Sequence, residues 1–202
     1  MYKRQMKLQR ILCILCVVSS ALVFVYALGI MTDLYDMLFN QLKNYPESLE
    51  ESIAGARIYA DMQPFNHLLL RLGIGLLLLS LTLLLTNTHT RRRYYISNYI
   101  SIGLNAVANV AMAIWAHAEI AAFKTQYLTT VDFEKLKVEL RPRGDATISL
   151  YAESTFWFDI HYVVFGLCLV MTILLILNAI WKIRLEKQER NLLTDSGKAV
   201  QK

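Results

Sequence analysis

The sequence predicts an all-α integral membrane protein, a four-transmembrane-helix bundle with two small, partly helical outer loops. Of its 202 residues, 55% are hydrophobic and only 18% are charged. The apolar residues fall into four blocks of about twenty, the length that crosses a hydrocarbon core. Basic residues cluster beside these blocks. A water-soluble domain would instead space its apolar residues along the faces of helices or strands.

The second apolar block sets the predicted orientation. Residues 65–86 are long enough to cross a hydrocarbon core of roughly 30 Å, and the triple arginine 91–93 follows. Short loops rich in Lys and Arg are retained in the cytoplasm. The hairpin is therefore predicted to be cytoplasmic, and most of the 21 Lys and Arg residues then lie on that side. The net charge of +5 accordingly reflects topology, and no nucleic-acid partner is expected.

The remaining segments follow in order from this orientation. They are a cytoplasmic N-terminus (1–10), the first span (11–31), the first outer loop (32–64), the second span (65–86), the cytoplasmic hairpin (87–95), the third span (96–118), the second outer loop (119–159), the fourth span (160–181) and a cytoplasmic tail (182–202). The first apolar run is longer than the 7–15 residues of a removable signal, so it is predicted to be a retained anchor. The expected location is the plasma membrane, with both termini cytoplasmic.

Both outer loops contain helix signals. In the first, leucines recur at i, i+4 and i+8 from Leu34, and a capping box at 48–51 opens a second short helix. In the second, Asp132 is placed to cap a helix that begins with Phe133, and residues 147–151 are either a short strand or an approach segment. The loops are therefore predicted to form a small packed cap rather than catalytic loops.

The third span differs from the others because it is rich in Gly, Ala and Asn instead of Leu. One helical stripe carries Gly103, Ala106, Val110, Ala113 and His117, and a second carries Asn105, Asn109, Met112, Ala116 and Glu119. Small residues let helix backbones approach, and an intramembrane Asn prefers a partner on another helix. The third span is thus predicted to be the most buried of the four, with Asn109 in an interhelical hydrogen bond.

The three cysteines are predicted to be apolar packing residues. Cys13 and Cys16 form a C-x-x-C inside an apolar helix, whereas redox motifs of this kind need an accessible thiol at a helix start. Cys168 is predicted to lie at a different membrane depth, roughly 10 Å or more from theirs. No disulfide is expected.

Three histidines are predicted at the outer boundary of the membrane: His67, His117 and His161. They are compatible with a zinc or other transition-metal site, with a pH-sensitive gate, or with helix capping at the headgroups. Glu119 and Asp159 each lie two residues from a histidine, so the members of such a pair cannot both face one metal on a helix. No H-E-x-x-H motif is present. Capping is the default interpretation, and no metal or other cofactor is predicted.

Five residues make up a predicted polar cluster: Arg71, Asn105, Asn109, Glu119 and Asp159. Arg71 lies about six residues inside the second span, where an unpaired arginine is costly. We expect it to pair with Glu119 first and Asp159 second. The alternative is that its side chain extends outward to the membrane surface.

The functional prediction is a non-enzymatic multi-pass membrane protein that serves as an accessory or partner-binding subunit of a membrane complex. Nucleotide-binding and nucleophile-elbow motifs are absent from the sequence. The predicted partners are the lipid bilayer and either another protein or further copies of the chain. One alternative is a small transporter or channel subunit with a polar path near Arg71, Asn105 and Asn109. Another is a membrane enzyme or metal site built on His67, His117 and His161.

Overall fold

The computed structural model describes residues 2–32, 54–88, 96–140 and 154–200. Within these ranges the chain is helical and contains no strand. The helices are α1 (Tyr2–Thr32), α2 (Ile58–Asp61), α3 (Gln63–Asn87), α4 (Ile96–Thr130), α5 (Phe133–Leu140) and α6 (Phe156–Val200). Residues 33–53, 89–95 and 141–153 lie outside the described parts, and with them the Leu34 stripe, the 48–51 capping box, the arginine hairpin and segment 147–151.

Four of the described helical stretches are long and apolar enough to cross a membrane: Lys3–Thr32, Ile58–Asn87, Ile96–Thr130 and Phe156–Leu192. The prediction of an all-helical chain with four span-length apolar helices is therefore confirmed. The helices run past the predicted span ends because a helix need not stop where its apolar composition does. In α4, for example, residues 118–130 contain no Gly or Pro to end the helix.

The prediction that the third span is the most buried is wrong. Of the residues in its most apolar stretch, the first candidate span buries 44%, whereas the third buries 39%. The reason is that α4 buries its Asn105 stripe but only Ala113 of the Gly103 stripe. Asn105, Asn109 and Met112 are buried, whereas Gly103 and Val110 on the other stripe are exposed.

The chain divides into two compact units, each formed by parts of several helices. The first unit comprises Met1–Ser20, Leu76–Val110 and Leu167–Lys202. Its apolar core is small and consists of the buried residues Leu12, Cys13, Cys16, Leu83, Ile102, Leu175 and Ala179. Cys13, Cys16 and Cys168 are all buried and free, which confirms the prediction of unpaired packing cysteines. The predicted difference in depth is wrong for Cys16, because Cys168 contacts the backbone oxygen of Ser19, only about one helical turn from Cys16.

The second unit comprises Ala21–Gly75 and Ala111–Gly166, and its core is aromatic. Tyr127 contacts three rings, those of Tyr59, Phe133 and Phe158, with centroid distances between 5.0 and 6.4 Å. Tyr59, Tyr127 and Phe158 are among the largest fully buried side chains. This cluster joins α2, the end of α4, α5 and the start of α6 into one folded body.

Two local features hold the end of α4 to the segment before α2. Gly55 has a φ of 76°, and a side chain there would collide with the carbonyl of Thr130. Beside it, the backbone N–H of Asp132 donates to the carbonyl of Ala54 at 3.0 Å. Asp132 Oδ1 then accepts a 3.1 Å hydrogen bond from the Lys135 N–H. The predicted capping of α5 by Asp132 is thus confirmed.

Candidate functional site

The second unit brings together two of the three histidines that were predicted to lie at the outer boundary. His117 in α4 and His161 in α6 approach to 3.0 Å between Nδ1 of the former and Nε2 of the latter. Their ring planes are inclined by only 25°, and the ring of Tyr162 lies 4.0 Å from that of His161 between centroids. His117 is exposed and His161 is buried.

The hydrogen bonds of this pair determine where its protons lie. His161 Nδ1 contacts the carbonyl oxygen of Phe158, which can only accept, so this nitrogen carries a proton. In neutral His161, Nε2 is then the acceptor, and His117 Nδ1 must be the donor. A proton on His161 Nε2 would place N–H groups on both facing nitrogens.

His67 does not complete a three-histidine site. Its side chain is exposed on α3. In the part of the chain that the structure describes, no three His, Cys, Asp or Glu side chains come close enough to hold a metal ion. The outer histidines therefore form a pair rather than the three-imidazole set that zinc chemistry would need.

Asp159 has a different partner from those considered in the sequence analysis. Its Oδ1 lies 2.5 Å from the ammonium of Lys124 in α4, and Thr155 donates to its Oδ2 at 2.8 Å. Lys124 lies beyond the predicted end of the third span. It was missed because α4 was expected to end at 118, which placed this lysine in a loop.

The predicted ion pair between Arg71 and Glu119 is not formed. Arg71 is exposed on α3, where its neighbours Leu68 and Leu72 are exposed as well. It makes no ion pair with any residue in the described ranges, and Glu119 is half-buried on α4. Arg71 thus points away from the interior of its unit, as the alternative of an outward-extending side chain requires.

The two predicted asparagines belong to the first unit, where they join a network from three helices. Asn105 Nδ2 donates to Ser80 Oγ in α3 at 2.9 Å. Ser80 Oγ in turn shares a 2.6 Å hydrogen bond with Ser20 Oγ in α1. Asn109 donates to the side-chain and backbone oxygens of Asn105, both at 2.9 Å. The interhelical bond expected of Asn109 is therefore made by Asn105.

A second group of amides, which the sequence analysis did not single out, links α1 to α6. Asn178 Nδ2 donates to Gln9 Oε1, and Gln5 Nε2 contacts the oxygens of Gln9 and Asn178 at 3.4 and 3.5 Å. Gln5, Gln9 and Cys13 recur every four residues, which is the sequence signal that identifies a polar stripe on one helix face.

Polar side chains make up most of the buried residues of the first unit. They are Gln5, Gln9, Ser19, Ser20, Ser80, Asn87, Asn98, Ser101, Asn105, Asn109, Thr172, Asn178 and Lys182. The second unit buries only Gln63, Asn66 and His161 among its described polar residues. Buried polar groups need partners, and the amides and hydroxyls of the first unit supply them largely to one another.

The comparisons with known proteins found no relative of this chain. No family model matches it, no curated protein matches it, and no solved structure matches it. The function must therefore be inferred from the chain itself.

Proposed function

We propose that this chain is a non-enzymatic, multi-pass subunit of a plasma-membrane complex and that it binds a protein partner through its cap. The cap is the part of the second unit that we place outside the membrane: α2, the end of α4 from about residue 117, α5 and the start of α6 as far as His161. Four span-length apolar helices support insertion of the chain into a membrane. The basic residues near the N-terminus and after Trp181 support cytoplasmic termini, which places the cap outside.

The observation that carries the proposal is the folded aromatic core of the cap. Tyr59, Tyr127 and Phe158 are fully buried, although a simple loop between spans needs no core. Ordering such a segment costs backbone and side-chain entropy. A protein that retains an ordered body outside the membrane, built around apolar rings, has the rigid surface that partner recognition requires.

The chemistry of the cap also favours binding over catalysis. Asp159 is engaged by Lys124 and Thr155, and His161 is buried with contacts at both ring nitrogens. A general base or nucleophile needs access to a substrate. Of this group only His117 offers a ring nitrogen toward solvent, and one such group does not make a catalytic set.

Site-specific photo-crosslinking in the native membrane tests this proposal. A photoreactive phenylalanine analogue would replace Leu128, which is 50% exposed on the cap. The matched control would replace Leu78, which is 59% exposed on the lipid-facing side of α3. We expect a defined protein adduct from position 128 and none from position 78. The mass of the adduct distinguishes another protein from a second copy of the 23.2 kDa chain.

The result that would overturn the proposal is equally specific. If position 128 and other exposed cap positions such as Val138 give no protein adduct, the cap is not a docking surface in the cell. The same holds if adduct formation survives disruption of the cap by Gly55→Ala, because binding would then not depend on the folded cap.

A small transporter or channel subunit is the second candidate, and the buried polar side chains of the first unit favour it. The network of Ser20, Ser80, Asn105 and Asn109 joins three helices. Within the described ranges, Asn109 Oδ1 is buried without a hydrogen-bond partner. Flux of small ions or polar solutes into proteoliposomes tests it. Transport that Asn105→Ala abolishes and Asn66→Ala preserves would favour this function over the first.

A further inference from the structure

The exposed face of α1 carries an unusual concentration of positive charge at its start. Four basic residues are exposed there: Lys3, Arg4, Lys7 and Arg10. The buried face of the same helical segment is formed by Gln5, Gln9 and Leu12. All four cations therefore point away from the interior of the first unit.

These charges are not neutralised by their own helix. α1 contains no acidic residue between Tyr2 and Thr32. None of the four basic residues forms an ion pair with a residue in the described ranges. Clustered like charges repel one another, so an anion bound at this face would be stabilised by all four.

The same face becomes apolar immediately after the charges. Its exposed residues from there on are Ile11, Ile14, Leu15, Val18, Leu22 and Val25. From Ile11 to Val25 the helix rises about 21 Å. A basic patch that continues as an apolar stripe along one helix face matches a phospholipid, whose charged headgroup is followed by acyl chains.

The neighbouring helix α6 adds further positive charge at the same level. Gln9 is hydrogen-bonded to Asn178, and Cys168 Sγ donates to the backbone oxygen of Ser19. The residue numbers of each contacting pair add to the same value, as expected for two antiparallel helices in register. Continued by nearly two more turns, this register places Lys3 at the level of exposed Arg184.

We propose that Lys3, Arg4, Lys7 and Arg10 of α1, together with Arg184 of α6, bind the headgroup of an anionic phospholipid whose acyl chains lie along the apolar face of α1. The phosphate accepts hydrogen bonds and charge from the basic side chains. The inference rests on the proposed membrane insertion, but it does not depend on the partner-binding role of the cap.

The apolar continuation of the patch favours a lipid over a soluble anion. Inorganic phosphate would gain the charge interaction alone, whereas a phospholipid also covers the stripe from Ile11 to Val25. The absence of acidic residues in α1 favours an anionic headgroup over a zwitterionic one, because this helix offers no carboxylate to a choline or ethanolamine group.

Native mass spectrometry of the delipidated, full-length protein tests the proposal. The probes are phosphatidylglycerol, phosphatidylcholine and inorganic phosphate, each titrated separately, and the measured quantity is the occupancy of the first bound molecule. The variant is Lys3→Gln combined with Lys7→Gln, both exposed and without ion pairs. The control is Lys135→Gln, which removes the same kind of charge from the cap. Circular dichroism verifies that the helix content of each variant is unchanged.

We expect phosphatidylglycerol to bind more tightly than phosphatidylcholine, and inorganic phosphate not to compete with it. Each basic residue near an anionic surface contributes about fivefold in affinity, so the double variant should weaken phosphatidylglycerol binding by roughly 25-fold. The control should bind as the unchanged chain does. Equal binding of the two lipids, competition by inorganic phosphate, or full retention of binding by the double variant would each overturn the proposal. None of these outcomes bears on partner binding by the cap.

Discussion

Asn105 in α4 donates a 2.9 Å hydrogen bond to the hydroxyl of Ser80 in α3. This contact joins two helices inside the first unit. Ser80 extends it to Ser20 in α1, so three helices are fixed relative to one another by neutral polar groups. Such bonds set the rotation of each helix about its axis, which apolar packing alone specifies weakly.

A double-mutant cycle measures the energy of this contact. Asn105→Ala and Ser80→Ala should each lower the free energy of unfolding, and their coupling energy should be about 0.6–1.7 kcal/mol. Leu78→Ile, at an exposed position of α3, is the control and should change almost nothing. Thermal unfolding in detergent is the measurement. Strictly additive effects of the two alanine substitutions would mean that the Asn105–Ser80 bond contributes no stability.

The His117–His161 pair makes the stability of the second unit depend on pH. In the folded pair His161 Nε2 accepts a hydrogen bond from His117 Nδ1 and cannot take up a proton without losing that bond. At acid pH the unfolded state then binds more protons, so stability falls as the pH is lowered through the imidazole range of about 8 to 5.

Unfolding temperatures measured across that pH range test this pair. His117→Ala frees His161 Nε2 to take a proton, so the variant should lose less stability on acidification than the unchanged chain. His67→Ala, which alters an exposed histidine outside the pair, should leave the pH dependence as it was. An identical acid dependence in the unchanged chain and in His117→Ala would contradict the proton assignment derived from the Phe158 carbonyl.

Gly55 provides a test of whether its contact with the end of α4 stabilises the cap. Its positive φ costs a residue with a side chain about 1–2 kcal/mol, and an added Cβ would collide with the Thr130 carbonyl. Gly55→Ala should therefore lower the unfolding temperature and raise proteolysis of the cap. Gly75→Ala is the matched control, because no atom of another described helix lies within 4 Å of its added Cβ. Equal effects of the two substitutions would show that the junction at Gly55 does not hold the cap.

The fold class followed from composition because the spans are recognised by length and by the near absence of charge. The N-terminal capping of α5 by Asp132 was predictable for a similar reason, since helix capping depends on a few adjacent residues. In contrast, the buried side of α4 could not be read from periodicity. Lipid tails and the interior of a helix bundle are both apolar. The helical stripe that contains Gly103 and the one that contains Asn105 therefore looked equally suited to the interior.

Contacts between distant segments were also beyond local reasoning. The amide group of Gln9 and Asn178 depends on the register between α1 and α6, which no single segment encodes. Depth along the membrane was inferred for the histidines, but depth alone does not say which side of a helix faces a neighbour. His117 and His161 meet because their helices present them to each other, whereas His67 lies on an exposed face of α3.

The central claim is that the cap lies outside the cell and the charged end of α6 lies inside. Single cysteines at exposed Thr129 and Lys187, in a chain whose three native cysteines are replaced by alanine, would be treated with a membrane-impermeant maleimide on intact cells. We predict labelling at position 129, and at position 187 only after the cells are permeabilised. Labelling at position 187 in intact cells, with position 129 protected, would contradict the account.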